Sequence, residues 1–290
     1  MGIVFNKPTP ITKHNFKNIS FLLKRDDLIS QDFSGNKARK IEFLLQNLPP
    51  NIDTIVSYGS IQSNAMFSLS VFAKEKGLKF RYYANHIPSL LRKNPQGNLK
   101  LALQNGMELI EGYDFNIKPN ELFIKEGIAQ KEAFFGIKNL AKEIVDELGN
   151  IKAQIFLPSG TGTTALFLSK ALKEMGYSNL KVYTTPCVGR KEYLKEQFLE
   201  LCSDEKLFPT IIDTKKRYHF GKLYKEFYQI WLELQKETKV EFDLLYDPKG
   251  WLTILENIKL FDNLIYIHQG GKLGNITMLQ RYKKKFGEVI

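Results

Sequence analysis

Short β-branched runs alternate with amphipathic segments of helical period along most of this chain. The run Ile52 to Ser57 predicts a buried strand, and the apolar residues after it recur at helical spacing until Gly77, where a helix would end. Further strands are predicted, with helices between them, at Lys79 to Tyr83, Met107 to Ile110, Ala153 to Leu157, Lys181 to Thr184 and Leu264 to His268. This order predicts an α/β fold with parallel sheets covered on both faces. Ligands of such sheets lie beyond the carboxyl ends of the strands.

Charge and cysteine content limit the class of protein. The 290 residues include 42 Lys and Arg against 31 Asp and Glu, a net charge of +11, which leaves nucleic acid, membrane surfaces and anionic small molecules open as partners. Cys187 and Cys202 are too few for a disulfide framework, which favours a cytoplasmic location. The first residues contain no apolar signal region, and the uncharged stretch Thr54 to Ala73 carries polar groups that a bilayer would penalise. We expect a soluble protein of about two domains.

The segment Ser34 to Lys37 places a lysine at the start of a helix whose apolar face begins at Ile41. Lys37 alone has two interpretations. It is one solvated lysine among many, or it is a buried amine for Schiff-base chemistry, with a pKa lowered by burial and by the positive end of the helix.

Two loops join a predicted strand to a predicted helix. In the first, Tyr58 to Asn64, Ser63 or Asn64 either caps the helix or faces a carboxylate or cofactor. The second, Pro158 to Thr164, contains two glycines and four hydroxyl residues at a helix start, which suits a phosphate group. It lacks the spacing of nucleoside-triphosphate and dinucleotide loops, so a monophosphate fits better.

Near the C-terminus, Tyr246 and Asp247 precede Pro248, and Tyr266 precedes a Gln269-Gly-Gly turn. Taken alone, Asp247 indicates turn chemistry and Tyr266 an inward structural tyrosine. All four segments together resemble the 1-aminocyclopropane-1-carboxylate (ACC) deaminase/D-cysteine desulfhydrase family of pyridoxal 5'-phosphate (PLP) enzymes. The resemblance runs from residue 24 to residue 271, and its most specific parts are SGNKARKIEFL at 34–44 and GSIQSN at 59–64.

The resemblance implies the tryptophan-synthase-type PLP fold, fold type II, with two three-layer α/β domains and the cofactor between them. Residues 1–47 and 151–290 would form the larger, PLP-binding domain, and residues 48–150 the smaller domain inserted in it. The family also implies a homodimer and a small amino-acid substrate.

The resemblance also implies a role for each motif residue. Lys37 would form a Schiff base with PLP, and Asn64 would face the ring hydroxyl. The phosphate would be held by Ser159, Gly160, Thr161, Gly162 and Thr163. Gln62, Ser63, Asn64 and Gln269 would bind the substrate. Catalysis would fall to Lys37, Ser63, Tyr246 and Tyr266, with Asp247 near the pyridine nitrogen and no residue assigned to a metal.

Two positions depart from the family pattern. Gln269 stands where ACC deaminases usually have Leu and desulfhydrases Thr. Phe220, in His219-Phe220-Gly221, stands where a tyrosine would contact the substrate, unless Tyr218 or His219 replaces it. Asp247 favours the acidic, ACC-deaminating case, whereas Phe220 leaves β-elimination from D-cysteine at least as plausible. The predicted reaction releases a 2-oxo acid and ammonia, with sulfide from D-cysteine.

Three alternatives remain open from the sequence. Another fold-type-II enzyme, such as a serine/threonine dehydratase, is disfavoured by Asn36 before the lysine. An inactive PLP-binding homologue would explain Phe220 and Gln269. A nucleic-acid-binding protein is disfavoured because the basic residues are mostly scattered among acidic ones, so we expect neither nucleic acid nor membrane as a partner.

Overall fold

The computed structural model describes residues 3–287, and within them ten strands form two sheets. The strands are β1 (Ile11–Phe16), β2 (Ile19–Lys24), β3 (Thr54–Tyr58), β4 (Lys79–Ala84), β5 (Met107–Glu111), β6 (Glu121–Ile124), β7 (Ala153–Ser159), β8 (Leu180–Pro186), β9 (Thr210–Ile211) and β10 (Leu264–Ile267).

Helices cover both sheets, as the alternation predicts. They are α1 (Gly35–Gln46), α2 (Asn64–Glu75), α3 (Ser89–Lys93), α4 (Gly97–Gln104), α5 (Ala133–Leu148), α6 (Thr163–Glu174), α7 (Lys191–Leu201), α8 (Lys225–Thr238), α9 (Asp247–Glu256) and α10 (Gly274–Phe286). None of the helices in this part of the chain is both long and apolar enough to cross a membrane.

The larger sheet has the strand order β1-β2-β10-β7-β8-β9 and is parallel except for its first pair. That pair is a hairpin which the sequence analysis did not predict. Its turn residues Lys17 and Asn18 have φ of 48° and 63°, the left-handed values that two-residue hairpin turns need. Neither residue is a glycine, so the usual turn signal is missing from the sequence.

The smaller sheet is fully parallel, with the order β5-β4-β3-β6. Helices α1 and α2 share its apolar core, where Ile41 packs with Ile55 and Leu69. Helix α5 instead joins the core of the larger sheet, through residues such as Leu140 and Ile144. The predicted domain boundaries at residues 48 and 150 enclose the whole smaller sheet together with α5, and they stay a prediction.

A buried ion cluster joins α1 to the larger sheet. The Arg39 guanidinium, fully buried, donates to Asp26 at 2.8 Å and to Glu143 at 2.6 Å, and Lys24 lies 2.8 Å from the same Glu143. Burial alone would raise the pKa of Glu143, but the hydrogen bonds and charges of Arg39 and Lys24 lower it to about 2. Because the ionised partners come from β2, the turn that follows it, α1 and α5, the cluster holds the start of α1, which carries Lys37, against the larger sheet.

Candidate active site

One cavity opens at the carboxyl ends of β3 and β7, between the two sheets. Twelve of the thirteen predicted site residues line it, and Tyr266 is the exception. The lining residues are Lys37, Gln62, Ser63, Asn64, Ser159, Gly160, Thr161, Gly162, Thr163, Tyr246, Asp247 and Gln269. The structure therefore brings all four sequence segments to a single place, as parallel sheets require.

Lys37 lies in the first turn of α1, with its amine on the cavity. The turn is possible because Gly35 carries no side chain: a Cβ there would lie 2.2 Å from the Asp26 carbonyl oxygen. The Lys37 Nζ donates to Asn36 Oδ1 at 3.1 Å. Burial lowers the pKa of Lys37 from 10.5 to about 8, and the nearby Asp243 charge limits that fall. Near neutral pH the amine is thus a far better nucleophile than an ordinary lysine.

The loop after β3 combines helix capping with a polar cavity wall. Ser63 Oγ accepts from the backbone N–H groups of Ala65 and Met66 at 3.1 and 3.4 Å, so it caps α2. Its hydroxyl also interacts with the Tyr82 hydroxyl, which acts against the burial that raises the pKa of Tyr82. Asn64 Oδ1 accepts from Asn98 at 2.9 Å, which turns its amide N–H groups the other way. Gln62 Nε2 donates to Gln96 O at 3.1 Å, and Gln62 Oε1 is buried without a hydrogen-bond partner.

The loop from Pro158 to Thr164 presents a helix N-terminus to the cavity. No side chain caps α6, so the N–H groups of its first turn point unpaired into this loop. Gly162 has a left-handed φ of 73°, and a Cβ there would lie 2.5 Å from Leu194 and 2.4 Å from Phe198. Uncapped N–H groups at the positive end of a helix favour an anion such as a phosphate.

Lys40 is a second cavity lysine, which the sequence analysis did not select. It lies three residues after Lys37 on the same helix face, is buried, and donates to Gly127 O at 2.9 Å. Burial, and then the Lys37 charge, lowers its pKa well below the ordinary value. An anion in the cavity would stabilise the charged form of Lys40. The spacing of the two lysines along α1 was the available sequence signal.

Two buried carboxyl groups face each other on the opposite wall, and only Asp247 was predicted. Asp247 accepts from the Tyr266 hydroxyl at 2.6 Å and from the Asp243 backbone N–H at 2.8 Å. Asp243 accepts from the N–H groups of Leu245 and Tyr246 at 2.6 and 2.8 Å. Burial raises the pKa of Asp243 to about 7. Burial, and then the Asp243 charge, raises the pKa of Asp247 well above its usual range. Such a pair favours a cation beside it.

Tyr266 itself lies behind Asp247 rather than on the cavity. Its ring is fully buried and stacks on Trp251 at 5.1 Å between ring centroids. Asp247 is also the first residue of α9, with Pro248 in the first turn. The Asp-Pro pair thus opens a helix here and does not form an isolated turn.

An aromatic pair, Tyr246 and Phe220, forms part of the cavity wall. Tyr246 lies against Gly160, since a Cβ on that glycine would be 3.5 Å from the Tyr246 phenol oxygen. The ring centroids of Tyr246 and Phe220 are 5.4 Å apart. Phe220 lines the cavity. Tyr218 and His219, the possible replacements for the missing tyrosine, line a separate small pocket together with Phe220.

Glu126 also lines the main cavity. Burial raises its pKa, and a hydrogen bond from the Ser60 backbone N–H partly offsets that rise. Nothing in its local sequence marked Glu126.

Known proteins resemble this chain over half of its length or more. No family model matches it. A Thermotoga maritima protein assigned as an ACC deaminase is 25% identical over 95% of this chain and 97% of its own length. The D-cysteine desulfhydrase of Serratia proteamaculans is 30% identical over 53% of this chain and 40% of its own length. The crystal structure of an ACC deaminase homologue superposes with a TM-score of 0.77 at 20% identity, covering 98% of this chain and 95% of that one.

Sequence and fold agree on one assignment. The predicted fold class is confirmed, because the structural neighbours are fold-type-II PLP enzymes and the strands form two sheets covered by helices. By its four motif segments, its relatives and its fold, this chain is similar to proteins named ACC deaminase and D-cysteine desulfhydrase, and its fold is that of the fold-type-II PLP enzymes.

Proposed function

We propose that this enzyme binds PLP in the cavity and deaminates a small amino acid, releasing a 2-oxo acid and ammonia. The observation that carries the proposal is the convergence, in one cavity, of an amine of lowered pKa at Lys37, an uncapped helix N-terminus at Thr163 and a buried carboxyl group at Asp247. Each of the three matches one part of PLP: the lysine its aldehyde, the anion site its phosphate and the carboxyl group its ring nitrogen.

The unsatisfied groups of the cavity match the parts of PLP. The N–H groups at the start of α6 and the buried Lys40 amine would hold the phosphate, together with the loop from Ser159 to Thr163. Lys37 partly balances the charge of Asp243, whereas burial and the Asp243 charge hold the pKa of Asp247 well above its usual range, and a protonated pyridine nitrogen would supply a cation beside Asp247. Asn64, whose amide oxygen is occupied by Asn98, has N–H groups to offer the ring hydroxyl.

When bound, PLP supplies the electron sink that lets a bond at the substrate Cα break. The chain's residues handle the protons and the carboxylate. Lys37, whose amine is substantially neutral near its pKa of about 8, takes or returns the proton at Cα. The Ser63 hydroxyl, fixed by two backbone donors, donates to the substrate carboxylate or to the reacting carbon. Gln62 and Asn64 orient the carboxylate, and Tyr246 serves the leaving group.

The substrate itself stays open between two chemistries. Asp247 favours the strong electron sink of ACC ring opening, whereas Phe220 brings no hydroxyl to the cavity mouth. We propose D-cysteine or a comparable small amino acid with a β-leaving group as the substrate and ACC as the second candidate. In the D-cysteine reaction the products are pyruvate, ammonia and sulfide.

The test is a substrate panel with purified protein and PLP. D-cysteine, ACC, L-cysteine and D-serine are supplied separately, and pyruvate, 2-oxobutanoate, ammonia and sulfide are measured. We expect one of the first two substrates to be turned over and Lys37→Ala to abolish turnover. Lys131→Ala, at an exposed position, is the matched control and keeps full activity.

Other outcomes contradict the proposal in distinct ways. Turnover of L-serine or L-threonine alone, added as further substrates, would indicate a dehydratase. PLP binding without turnover of any small amino acid would indicate an inactive homologue. The homodimer and the cytoplasmic location also remain predictions, and light scattering of the purified protein measures the first.

A further inference from the structure

The side chain of Gln269 connects two parts of the cavity wall that are far apart in sequence. Its Nε2 donates to Pro158 O at 2.7 Å, at the start of the loop before α6. Its Oε1 accepts from Asn36 Nδ2 at 3.0 Å, at the start of α1. The Gln269 amide therefore already donates one hydrogen bond and accepts one within the protein in the absence of any ligand.

The contact with Asn36 matters because the Asn36 side-chain amide has a donor, Nδ2, on one side and an acceptor, Oδ1, on the other. With Nδ2 turned to Gln269, the Asn36 oxygen faces the other way and accepts from Lys37 Nζ at 3.1 Å. Without an acceptor at residue 269, the Asn36 amide is free to turn over and place its NH2 group beside the Lys37 amine, itself a donor. A Leu side chain, usual for ACC deaminases at this position, offers no acceptor at all.

The backbone of the same segment already fixes its place. Asn36 N donates to Gln269 O at 3.1 Å, and the Ser34 hydroxyl donates to that oxygen at 3.3 Å. Gly270 approaches so closely that a Cβ on it would lie 2.6 Å from Gly35 N. These contacts do not involve the Gln269 side chain, so a substitution there tests the amide bridge without dismantling the turn.

We propose that Gln269 is a positioning residue and does not contact the substrate. It acts through Asn36 to orient the Lys37 amine and connects that amine, by hydrogen bonds, to the loop at Pro158. Its importance for turnover rests on the proposed function, but the hydrogen-bonded row from Pro158 to Lys37 belongs to the free protein. In this chain the identity of residue 269 therefore does not indicate which substrate is used.

The test measures Lys37 in the protein without PLP. The pH dependence of reductive methylation at Lys37, followed by peptide mass spectrometry, gives a midpoint for the amine. Gln269→Met removes both side-chain bonds at similar volume and is expected to lower the midpoint by about half a pH unit or more, because the ammonium form loses its acceptor. Gln269→Glu keeps an acceptor for Asn36 and is expected to leave the midpoint at or above the wild-type value.

A double variant tests whether Gln269 acts on Lys37 through Asn36. Asn36→Ala should lower the midpoint as Gln269→Met does, and the two together should add nothing to either alone. Equal midpoints in wild type and Gln269→Met, or fully additive shifts, would overturn the proposal.

The loaded enzyme gives an independent readout. Gln269→Met is expected to lower kcat about tenfold, because Lys37 is misplaced, while KM stays within about twofold. A raised KM with unchanged kcat and an unchanged Lys37 midpoint would make Gln269 a substrate contact and overturn the proposal. A wild type that turns over no amino acid but still shows the coupled midpoints would refute the proposed function and support the role of Gln269.

Discussion

The Tyr266 hydroxyl donates a 2.6 Å hydrogen bond to Asp247 from behind the cavity wall. That bond favours the charged form of Asp247, against the burial and the Asp243 charge that raise its pKa. Tyr266 thus acts on the cavity through Asp247, although it does not line the cavity.

Tyr266→Phe should destabilise the charged form of Asp247 while leaving the core packed. The ring keeps its stacking on Trp251, but one Asp247 oxygen loses its donor, at a cost of about 1–2 kcal/mol in unfolding free energy. Asp247 then holds its proton more tightly, so we expect PLP to bind less tightly and kcat to fall about tenfold. Urea unfolding and PLP titration measure these effects.

The matched control for that variant is Tyr282→Phe. Tyr282 is equally buried and donates to Tyr224 O at 3.1 Å, away from the cavity. It should lose similar stability and keep its PLP affinity and kcat. If both variants behave alike, Tyr266 has no role at the site beyond packing.

The Lys37 amine should titrate near pH 8 in the free protein and not at the ordinary value of 10.5. Asp243→Asn removes the charge that limits this fall, so its midpoint should drop by about one further pH unit. Glu126→Gln removes another cavity carboxyl group and should leave the midpoint in place. Reductive methylation followed over pH measures all three proteins.

The lowered pKa of Lys37 makes the stability of the protein depend on pH. Because the folded pKa is about 8 and the unfolded value 10.5, the unfolded chain binds more protons between these limits. Lys37 therefore contributes a rise in unfolding free energy with increasing pH across that window. Lys37→Met should remove this contribution, and an unchanged slope would contradict the lowered pKa.

Gly162→Ala should damage both the fold and the phosphate loop. Its left-handed φ costs a side-chain residue about 1 kcal/mol, and the clash with Leu194 and Phe198 adds about 1–3 kcal/mol more. Gly176→Ala is the control, since Gly176 has φ of 84° and open space around its Cβ position. A thermal unfolding series that ranked the two variants equal would contradict the packing argument.

Lys40→Met should weaken anion binding selectively. Its buried amine and that of Lys37 are the two cationic groups that line this cavity within the described residues. We expect the dissociation constant of inorganic phosphate for the protein without PLP to rise about tenfold in this variant. Lys131→Met, exposed, should match the wild type, and equal phosphate affinity in all three proteins would exclude Lys40 from the anion site.

The sequence predicted the alternating fold and the cavity loops because both depend on local patterns. Lys37 and the loop at 158–164 are marked by small residues next to strand ends, so their neighbourhood in space follows from parallel topology. The β1–β2 hairpin was missed because Lys17 and Asn18 adopt left-handed φ without a glycine. Such a turn leaves little trace in the sequence.

Long-range contacts set the remaining features of the site. Asp243 is four residues before Asp247, yet only burial against the Lys37 side of the cavity makes it the main counter-charge of that amine. Tyr266 was predicted to be catalytic from the family resemblance, and only its register in β10 places it behind Asp247. Its direct catalytic role stays a prediction.

Borohydride reduction tests most directly whether Lys37 carries PLP. Purified protein is incubated with PLP, reduced and digested, and the peptides are analysed by mass spectrometry. We predict a phosphopyridoxyl group on the peptide containing Lys37, together with a visible absorption band before reduction, and neither in Lys37→Ala. A label on Lys40 or on another lysine, or no label at all, would contradict the account.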